Sequence, residues 1–105
     1  MKRLNKILVE IKRLVTEKDA SAKIYLYGSR VRGTARKESD WDILILLNKE
    51  IITPEMEQEI TSTLYDLEFE SGQVISPMVY SEKEWNYKFS VTPFFHNVMR
   101  EGLLL

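Results

Sequence analysis

The sequence predicts an α/β (α+β) fold in which a mixed sheet of three or four strands carries helices mainly on one face. Two observations support this prediction. Amphipathic stretches with a helical repeat alternate along the chain with short apolar stretches that are typical of strands. One of these strands, residues 40–47, is apolar on both faces after Asp42, as expected of a central strand. The 105 residues are predicted to form a single domain, residues 1–105.

The first half of the chain is predicted to contain a long helix, two strands and a helical turn. Apolar residues at helical spacing predict a helix over about residues 2–18: Leu4, Ile7, Leu8, Ile11, Leu14 and Val15. The β-branched and aromatic run 23–27 predicts a strand that ends before a glycine. A helical turn within residues 29–35 and a polar loop, residues 36–39, lead to the second strand, residues 40–47.

The second half is predicted to contain a helix, a strand near an edge and two further helices. Thr53, as N-cap, and Pro54 begin a helix that runs to about Glu70. Residues 73–80 predict a third strand, and Pro77 inside it indicates an edge position or a bulge.

Two short helices and an apolar tail follow. Ser81 and Glu84 resemble a capping box that opens a helix through Trp85. The last helix begins after Pro93 and is predicted to end at Gly102. The three leucines beyond it are consistent with an added edge strand, with packing against another subunit in a homo-oligomer, or with disorder.

The composition excludes several functional classes. A net charge of −1 argues against bulk binding of polyanions, so direct nucleic-acid binding is not expected. The absence of cysteine excludes disulfides and thiolate nucleophiles, and a single histidine excludes histidine-rich metal centres. The N-terminal stretch is charged, unlike a signal peptide, and no apolar run approaches the ~20 residues of a membrane span. We therefore expect a cytoplasmic protein that does not enter a membrane.

A Gly28-Ser29 pair follows the first strand. Glycine lets a phosphate approach the backbone closely, and free N–H groups at the start of a helical turn favour an anion. On its own, such a pair is more often an ordinary serine-capped turn. It is not a P-loop, because no Gly-Lys-Ser/Thr follows.

Asp40 and Asp42 open the second strand. Residues i and i+2 of a strand face the same side, roughly 6.6 Å apart, so the two carboxylates can bind one hard cation or two close together. Mg²⁺ prefers carboxylate oxygens combined with those of a bound triphosphate. The alternative is that Asp40 ends the loop and Asp42 faces solvent. The buried-type run 43–47 directly after the pair weakens this alternative.

Basic and aromatic residues surround these motifs. Four basic residues cluster between the two strands: Arg30, Arg32, Arg36 and Lys37. Two of them, Arg32 and Arg36, flank Gly33 and are the candidates to reach a nucleotide, although such clusters are more often a solvated loop. Three aromatic residues can stack a base but are more typical of a core: Tyr25, Tyr27 and Trp41.

The motifs combine into the spacing G-S-x3-G-x5-S-D-x-D-I-L, which begins at Gly28 and ends at Leu44. The sequence resembles the minimal nucleotidyltransferases of the DNA polymerase β-like superfamily, whose signature is a Gly-Ser turn followed by Asp-x-Asp on the next strand. The resemblance covers essentially the whole chain. A long helix after Asp-x-Asp and a C-terminal Pro-Phe-Phe…Glu-Gly helix are also typical.

The resemblance implies a site for a magnesium-bound nucleotide. The nucleotide-binding set is Gly28, Ser29, Arg32, Gly33 and Ser39, in which Ser39 orients the first aspartate or caps the loop. Asp40 and Asp42 would be the catalytic and metal-binding residues. They would hold Mg²⁺, which aligns the α-phosphorus of ATP for in-line attack by a hydroxyl.

The family usually has a third carboxylate on the following strand, which helps to bind metal and can accept the proton of the attacking hydroxyl. Its position falls near Ile75 or Ser76, and the strand contains no Asp or Glu. Glu68 and Glu70 lie upstream as weak substitutes. Without a positioned base, about 10²–10⁴-fold of rate is expected to be lost.

Members this short resemble the nucleotidyltransferase half of a toxin–antitoxin pair, whose partner is typically a HEPN-type ribonuclease. By this resemblance the chain transfers AMP from ATP to a tyrosine of that partner. One alternative is a catalytically degenerate antitoxin that neutralises the partner by contact, and the missing carboxylate favours it. A second alternative is a small-molecule nucleotidyltransferase of the aminoglycoside type, against which the short chain counts.

Overall fold

The computed structural model describes residues 5–105, which form five helices and four strands. In chain order these are α1 (Lys6–Lys18), β1 (Lys23–Tyr27), α2 (Ser29–Arg32), β2 (Trp41–Leu47), α3 (Pro54–Ser71), β3 (Ile75–Ser81), α4 (Glu82–Tyr87), α5 (Pro93–Glu101) and β4 (Leu103–Leu104). The predicted helix start at residue 2, and Leu4 on its apolar face, lie outside the described residues.

The strands form one mixed sheet in the order β3-β2-β1-β4. β1 runs antiparallel to both β2 and β4, and β2 runs parallel to β3. The predictions of a mixed sheet, a central second strand and an edge position for Pro77 are therefore confirmed. A proline is tolerated there because it removes one N–H donor from a strand that has a neighbour on one side only.

The two long helices, α1 and α3, pack on one face of the sheet. They bury an aliphatic core against alternate residues of β2, with Ile43 and Ile45 fully buried at its centre. The ends of α3 follow from local chemistry. The Thr53 hydroxyl accepts a hydrogen bond from the Met56 N–H at 3.1 Å, and Gly72 ends the helix in a left-handed conformation.

The opposite face of β2 is covered by α4 and α5, the two short helices. Leu44 and Leu46 pack there against Trp85 and Val98, within an aromatic cluster that includes Tyr27 and Phe94. Helices were predicted mainly on one face. The long helices do lie on one face, and the short ones add a second layer, because β2 is apolar on both of its faces.

Several element boundaries differ from the sequence-based expectation by a few residues. α2 ends at Arg32 because Gly33 takes a left-handed conformation with φ of 79°. β2 begins at Trp41, so Asp40 is the last residue of the preceding loop. β3 begins at Ile75, two residues later than predicted. The shift of β2 has a consequence for the site, because Asp40 lies outside the ladder of hydrogen bonds.

The C-terminal tail adds an edge strand to the sheet, which confirms one of its three predicted alternatives. Leu103 lies opposite Leu26, and the Leu105 N–H donates to the Ile24 carbonyl at 2.9 Å. This pairing brings the end of α5 close to the end of β1. Across the part of the chain that the structure describes, every helix is too short or too polar to cross a membrane.

Candidate active site

Gly28 and Asp42 meet where β1 ends. Tyr27 lies opposite Asp42 in the antiparallel ladder, so the next residue turns directly over the Asp42 side chain. Gly28 has a φ of 84°, and a Cβ at this position would overlap with Asp42 Oδ2. Glycine is therefore required twice, once by the positive φ, with ψ at −156°, and once by the carboxylate. The contact brings the two halves of the sequence motif together.

The turn after Gly28 is the short helix α2. Ser29 is its first residue, and the first N–H groups of a helix have no intrahelical partner. At its other end, the Gly33 N–H donates to the Ser29 carbonyl, and the space around the Gly33 Cα is open. The structure thus gives Gly33 a conformational role, the end of α2, whereas Ser29 directly follows Gly28, whose backbone lies against Asp42.

Asp42 lies in β2 and Asp40 just before it, close enough for the charge of Asp40 to act on Asp42. Asp40 Oδ2 accepts a hydrogen bond from the Ser76 hydroxyl at 2.8 Å. Burial, together with the negative charge of Asp40, raises the pKa of Asp42 above its ordinary value, and Arg32 opposes this shift. Two neighbouring carboxylates that repel each other form an environment that a cation would stabilise.

Ser76 occupies the position where a third carboxylate was expected. It lies directly opposite Asp42 in the parallel ladder between β2 and β3. Glu68 does not replace it, because its carboxylate accepts a hydrogen bond from the Ile75 N–H at 2.9 Å. Among residues 5–105, no third Asp, Glu or His joins the aspartate pair to form a cluster of metal ligands.

Arg32 lies beside the carboxylates and is paired with Glu101 at the end of α5. The two side chains approach to 2.8 Å and are 52% and 23% exposed. Arg32 also lies close enough to Asp42 to lower its pKa. No sequence motif assigns a role to Glu101. The only signal for it was the Glu-Gly ending of the last helix, because its proximity to the site depends on the pairing of β4 with β1.

Ser39 stabilises the loop that leads to Asp40. Its hydroxyl accepts a hydrogen bond from the Arg36 N–H at 2.7 Å, so it caps the loop, which was one of its two predicted roles. Trp41 is 4% exposed and has the guanidinium of Arg30 over its ring at 4.0 Å. Trp41 is therefore a core residue and does not present a face to a base.

Tyr27 forms the wall of the site on the α5 side. Its hydroxyl lies 3.5 Å from the sulfur of Met78, and its ring packs edge-on against Phe94. Burial, with the nearby charge of Asp42, raises the pKa of Tyr27 to about 12. The phenol therefore stays protonated well above physiological pH, and its hydroxyl can donate a hydrogen bond.

A groove of about 750 Å³ lies behind the loop that carries Asp40. Arg30, Ser39, Trp41 and Gln73 contribute to its lining, whereas Gly28 and Asp42 do not. Neither Asp40 nor Asp42 lines this groove. We therefore assign the chemistry of the site to the carboxylates and give the groove no part in it.

The chain from residue 9 to residue 105 matches the family model of polymerase beta, nucleotidyltransferase. The chain belongs to the polymerase beta nucleotidyltransferase family. No curated protein matches this sequence.

Solved structures share the fold of this chain. A toxin–antitoxin crystallised with AMP-PNP is 19% identical, with a TM-score of 0.63 over 91% of this chain and 69% of that chain. A variant of the toxin–antitoxin MntA-HpeT is 21% identical, with a TM-score of 0.62 over 98% and 72%. A protein described as a minimal nucleotidyltransferase is 22% identical, with a TM-score of 0.59 over 94% and 92%. At these identities the likeness shows the fold.

Proposed function

We propose that this nucleotidyltransferase moves AMP from ATP to a hydroxyl, a tyrosine of a HEPN-type toxin partner, in a reaction that requires Mg²⁺. The observation that carries the proposal is the contact between the Gly28 backbone and the Asp42 carboxylate. It joins a turn suited to phosphate with a carboxylate suited to a cation. The partner is inferred from structural neighbours that are toxin–antitoxin complexes, one of them with AMP-PNP.

The residues present fit a magnesium ion. Asp40 and Asp42 would hold it, because two carboxylates repel each other here and no described residue hydrogen-bonds the side chain of Asp42. When bound, the ion neutralises phosphate charge and makes the α-phosphorus more electrophilic. Gly28 and Ser29 would receive the triphosphate at the adjacent turn, with Arg32 at its side.

The proposed transfer forms one bond and breaks one. The hydroxyl oxygen of the acceptor bonds to the α-phosphorus, the bond from that phosphorus to the bridging oxygen breaks, and pyrophosphate leaves with the electron pair. The hydroxyl proton passes to solvent water, because Ser76 cannot accept it as a carboxylate would. Ser76 instead orients Asp40 through its hydrogen bond. We therefore expect slow turnover together with intact nucleotide binding.

Calorimetric titration tests the binding part of this proposal. ATP should bind in the presence of Mg²⁺ and at least about 10-fold more weakly in EDTA, and Asp42→Asn should remove the difference. Mass spectrometry of the partner after incubation with ATP and Mg²⁺ tests the transfer, with a gain of one or more AMP units expected. Equal affinity with and without Mg²⁺ in the unchanged chain would refute the proposal.

A catalytically degenerate antitoxin is the second candidate, and the serine at position 76 favours it. In that case the chain would bind the partner without modifying it. Replacing both Asp40 and Asp42 by Asn separates the two functions. Neutralisation of the toxin that survives this double replacement supports contact alone, whereas neutralisation that is lost supports transfer.

A further inference from the structure

Arg30 connects the two parts of the site. It is the second residue of α2 and so directly follows Ser29, while its side chain reaches the loop that carries Asp40. Its Nη2 donates to the Ser39 carbonyl at 2.7 Å and to the Lys37 carbonyl at 3.3 Å. In the sequence, Arg30 belongs to a basic cluster of a kind that is more often a solvated loop. In the structure, the Arg30 side chain is instead hydrogen-bonded to two carbonyls of the loop before Asp40.

The contacts of Arg30 bracket Asp40 on both sides. Ser39, whose carbonyl accepts the shorter hydrogen bond, immediately precedes Asp40. Trp41, whose ring lies 4.0 Å from the guanidinium carbon, immediately follows it. One planar group therefore fixes the peptide before the aspartate and the side chain after it, which limits where the Asp40 carboxylate can point.

Trp41 provides a rigid surface for this arrangement. Its Nε1 donates to the Gln73 side-chain oxygen at 2.6 Å, and its backbone N–H donates to the Val74 carbonyl at 2.9 Å. The ring is nearly fully buried in the core under α1 and α3. Arg30 therefore ties the loop to the body of the sheet.

Asp40 needs such support more than Asp42 does. Asp42 lies within β2, where ladder hydrogen bonds hold the backbone on both sides. Asp40 is exposed and precedes the strand, at the end of the largely exposed loop 34–39. Exposed loops open more readily than central strands, and a metal ligand loses affinity when its position fluctuates.

We propose that Arg30 is a positioning residue that holds Asp40 at a fixed place relative to the Gly28–Ser29 turn. The inference rests on the proposed function, in which Asp40 and Asp42 hold a cation beside the phosphates. The geometry requires arginine, because its guanidinium stacks on the ring and donates in the same plane to the carbonyls. A lysine would keep the charge but could not make both contacts.

The test compares Arg30→Lys with a control, Arg100→Lys, which changes an exposed arginine of α5 outside the site. Affinity for a non-hydrolysable ATP analogue is measured by calorimetry with Mg²⁺ and with EDTA. We expect Arg30→Lys to weaken the Mg²⁺-dependent binding by about 10- to 100-fold, as for residues that orient metal ligands. Binding in EDTA should stay within about twofold, because the phosphate turn is intact. The control should match the parent in both conditions.

Hydrogen–deuterium exchange of the free protein provides a second measurement that does not depend on nucleotide. Amides of the segment 36–41 should exchange faster in Arg30→Lys, with little change in β1 and α3. A second variant, Trp41→Phe, keeps an aromatic face and loses the bond to Gln73. It should give a smaller loss of Mg²⁺-dependent affinity than Arg30→Lys.

Three outcomes overturn the inference. The first is Mg²⁺-dependent affinity and loop exchange equal to those of the parent chain. The second is a parallel loss of binding in Mg²⁺ and in EDTA with a lower melting temperature, which would make Arg30 a general structural residue. The third is that the parent chain, without any substitution, binds the ATP analogue equally well with Mg²⁺ and with EDTA. That result refutes the proposed function itself and is seen without any substitution, so the two failures can be told apart.

Discussion

The two strands beside β2 contribute unequally to the candidate site. On one side, β1 is followed by Gly28, whose backbone lies against Asp42 so closely that no side chain fits. On the other side, β3 places Ser76 opposite Asp42, where a carboxylate would complete the set. The β1 side thus brings a turn suited to phosphate against Asp42, whereas the β3 side supplies a hydroxyl to Asp40 but no base. In the proposed function, nucleotide binding and turnover are therefore expected to be separable.

The largest expected effect comes from supplying the base on the β3 side. We expect Ser76→Asp to raise the rate of AMP transfer to the partner by about 10²–10⁴-fold, the usual contribution of a general base. The initial rate of mass gain on the partner measures it. Ser76→Asn is the matched control, because it has the shape of the aspartate without its charge or basicity. Equal rates in the two variants would mean that the β3 side does not limit turnover.

The next effect tests the β1 side. Gly28→Ala should abolish Mg²⁺-dependent ATP binding, since the added methyl group overlaps with the Asp42 carboxylate. The positive φ of this position should also cost about 1–3 kcal/mol of unfolding free energy, measured by urea denaturation.

Gly72→Ala is the control for this substitution. Gly72 shares the positive φ, at 72°, although its ψ of 11° differs from the −156° of Gly28. No atom lies within 4 Å of the place of its Cβ, and it ends α3 outside the site. It should show the backbone cost and keep the binding. If Gly28→Ala also keeps its Mg²⁺-dependent binding, the Gly28–Asp42 contact is not the centre of the site.

A smaller effect concerns Asp40 and Asp42, which lie between the β1 side and the β3 side. Burial and the charge of Asp40 raise the pKa of Asp42, so between its ordinary and raised pKa values the folded state binds more protons than the unfolded state. Stability should therefore fall as pH rises through this window. Asp42→Asn should stabilise the metal-free protein at pH 7 by less than about 1 kcal/mol, because the group is partly solvated. Thermal melts at pH 7 and pH 3 should show the gain only at the higher pH.

Much of the fold follows from local sequence patterns. The run 43–47, which is apolar on both faces, predicted a central strand, because such a strand is covered on both faces. Pro77 predicted an edge strand, because a proline lacks the N–H that a second neighbouring strand would need. Thr53 and Ser81 were identified as helix caps, because the hydrogen bond of a cap is made within four residues.

The parts that could not be predicted depend on contacts between distant residues. Glu101 reaches Arg32 across 69 positions only because β4 pairs with β1. In the sequence, nothing distinguishes Arg30 from an exposed arginine, because its stacking on Trp41 depends on how the loop before Asp40 folds. The close approach of the Gly28 backbone to Asp42 likewise follows from the register of β1 and β2, which the sequence does not show. The motif identified the candidate residues, and the tertiary structure determined which of them touch.

The smallest expected effect concerns the Arg32–Glu101 pair at the edge of the β1 side. In the proposed function, Glu101 competes with a phosphate for Arg32, since both are anions that need the same guanidinium. Glu101→Gln should therefore tighten Mg²⁺–ATP binding about two- to fivefold, the range expected when an exposed ion pair is removed. The gain should shrink at high salt, because screening weakens the attraction of Arg32 for phosphate. Glu50→Gln is the control. It removes an exposed ion pair with Lys83 of α4, the helix that follows β3, and should leave affinity unchanged. Weaker binding in Glu101→Gln would instead mean that Glu101 holds Arg32 in its binding orientation, so that α5 supports the β1 side of the site.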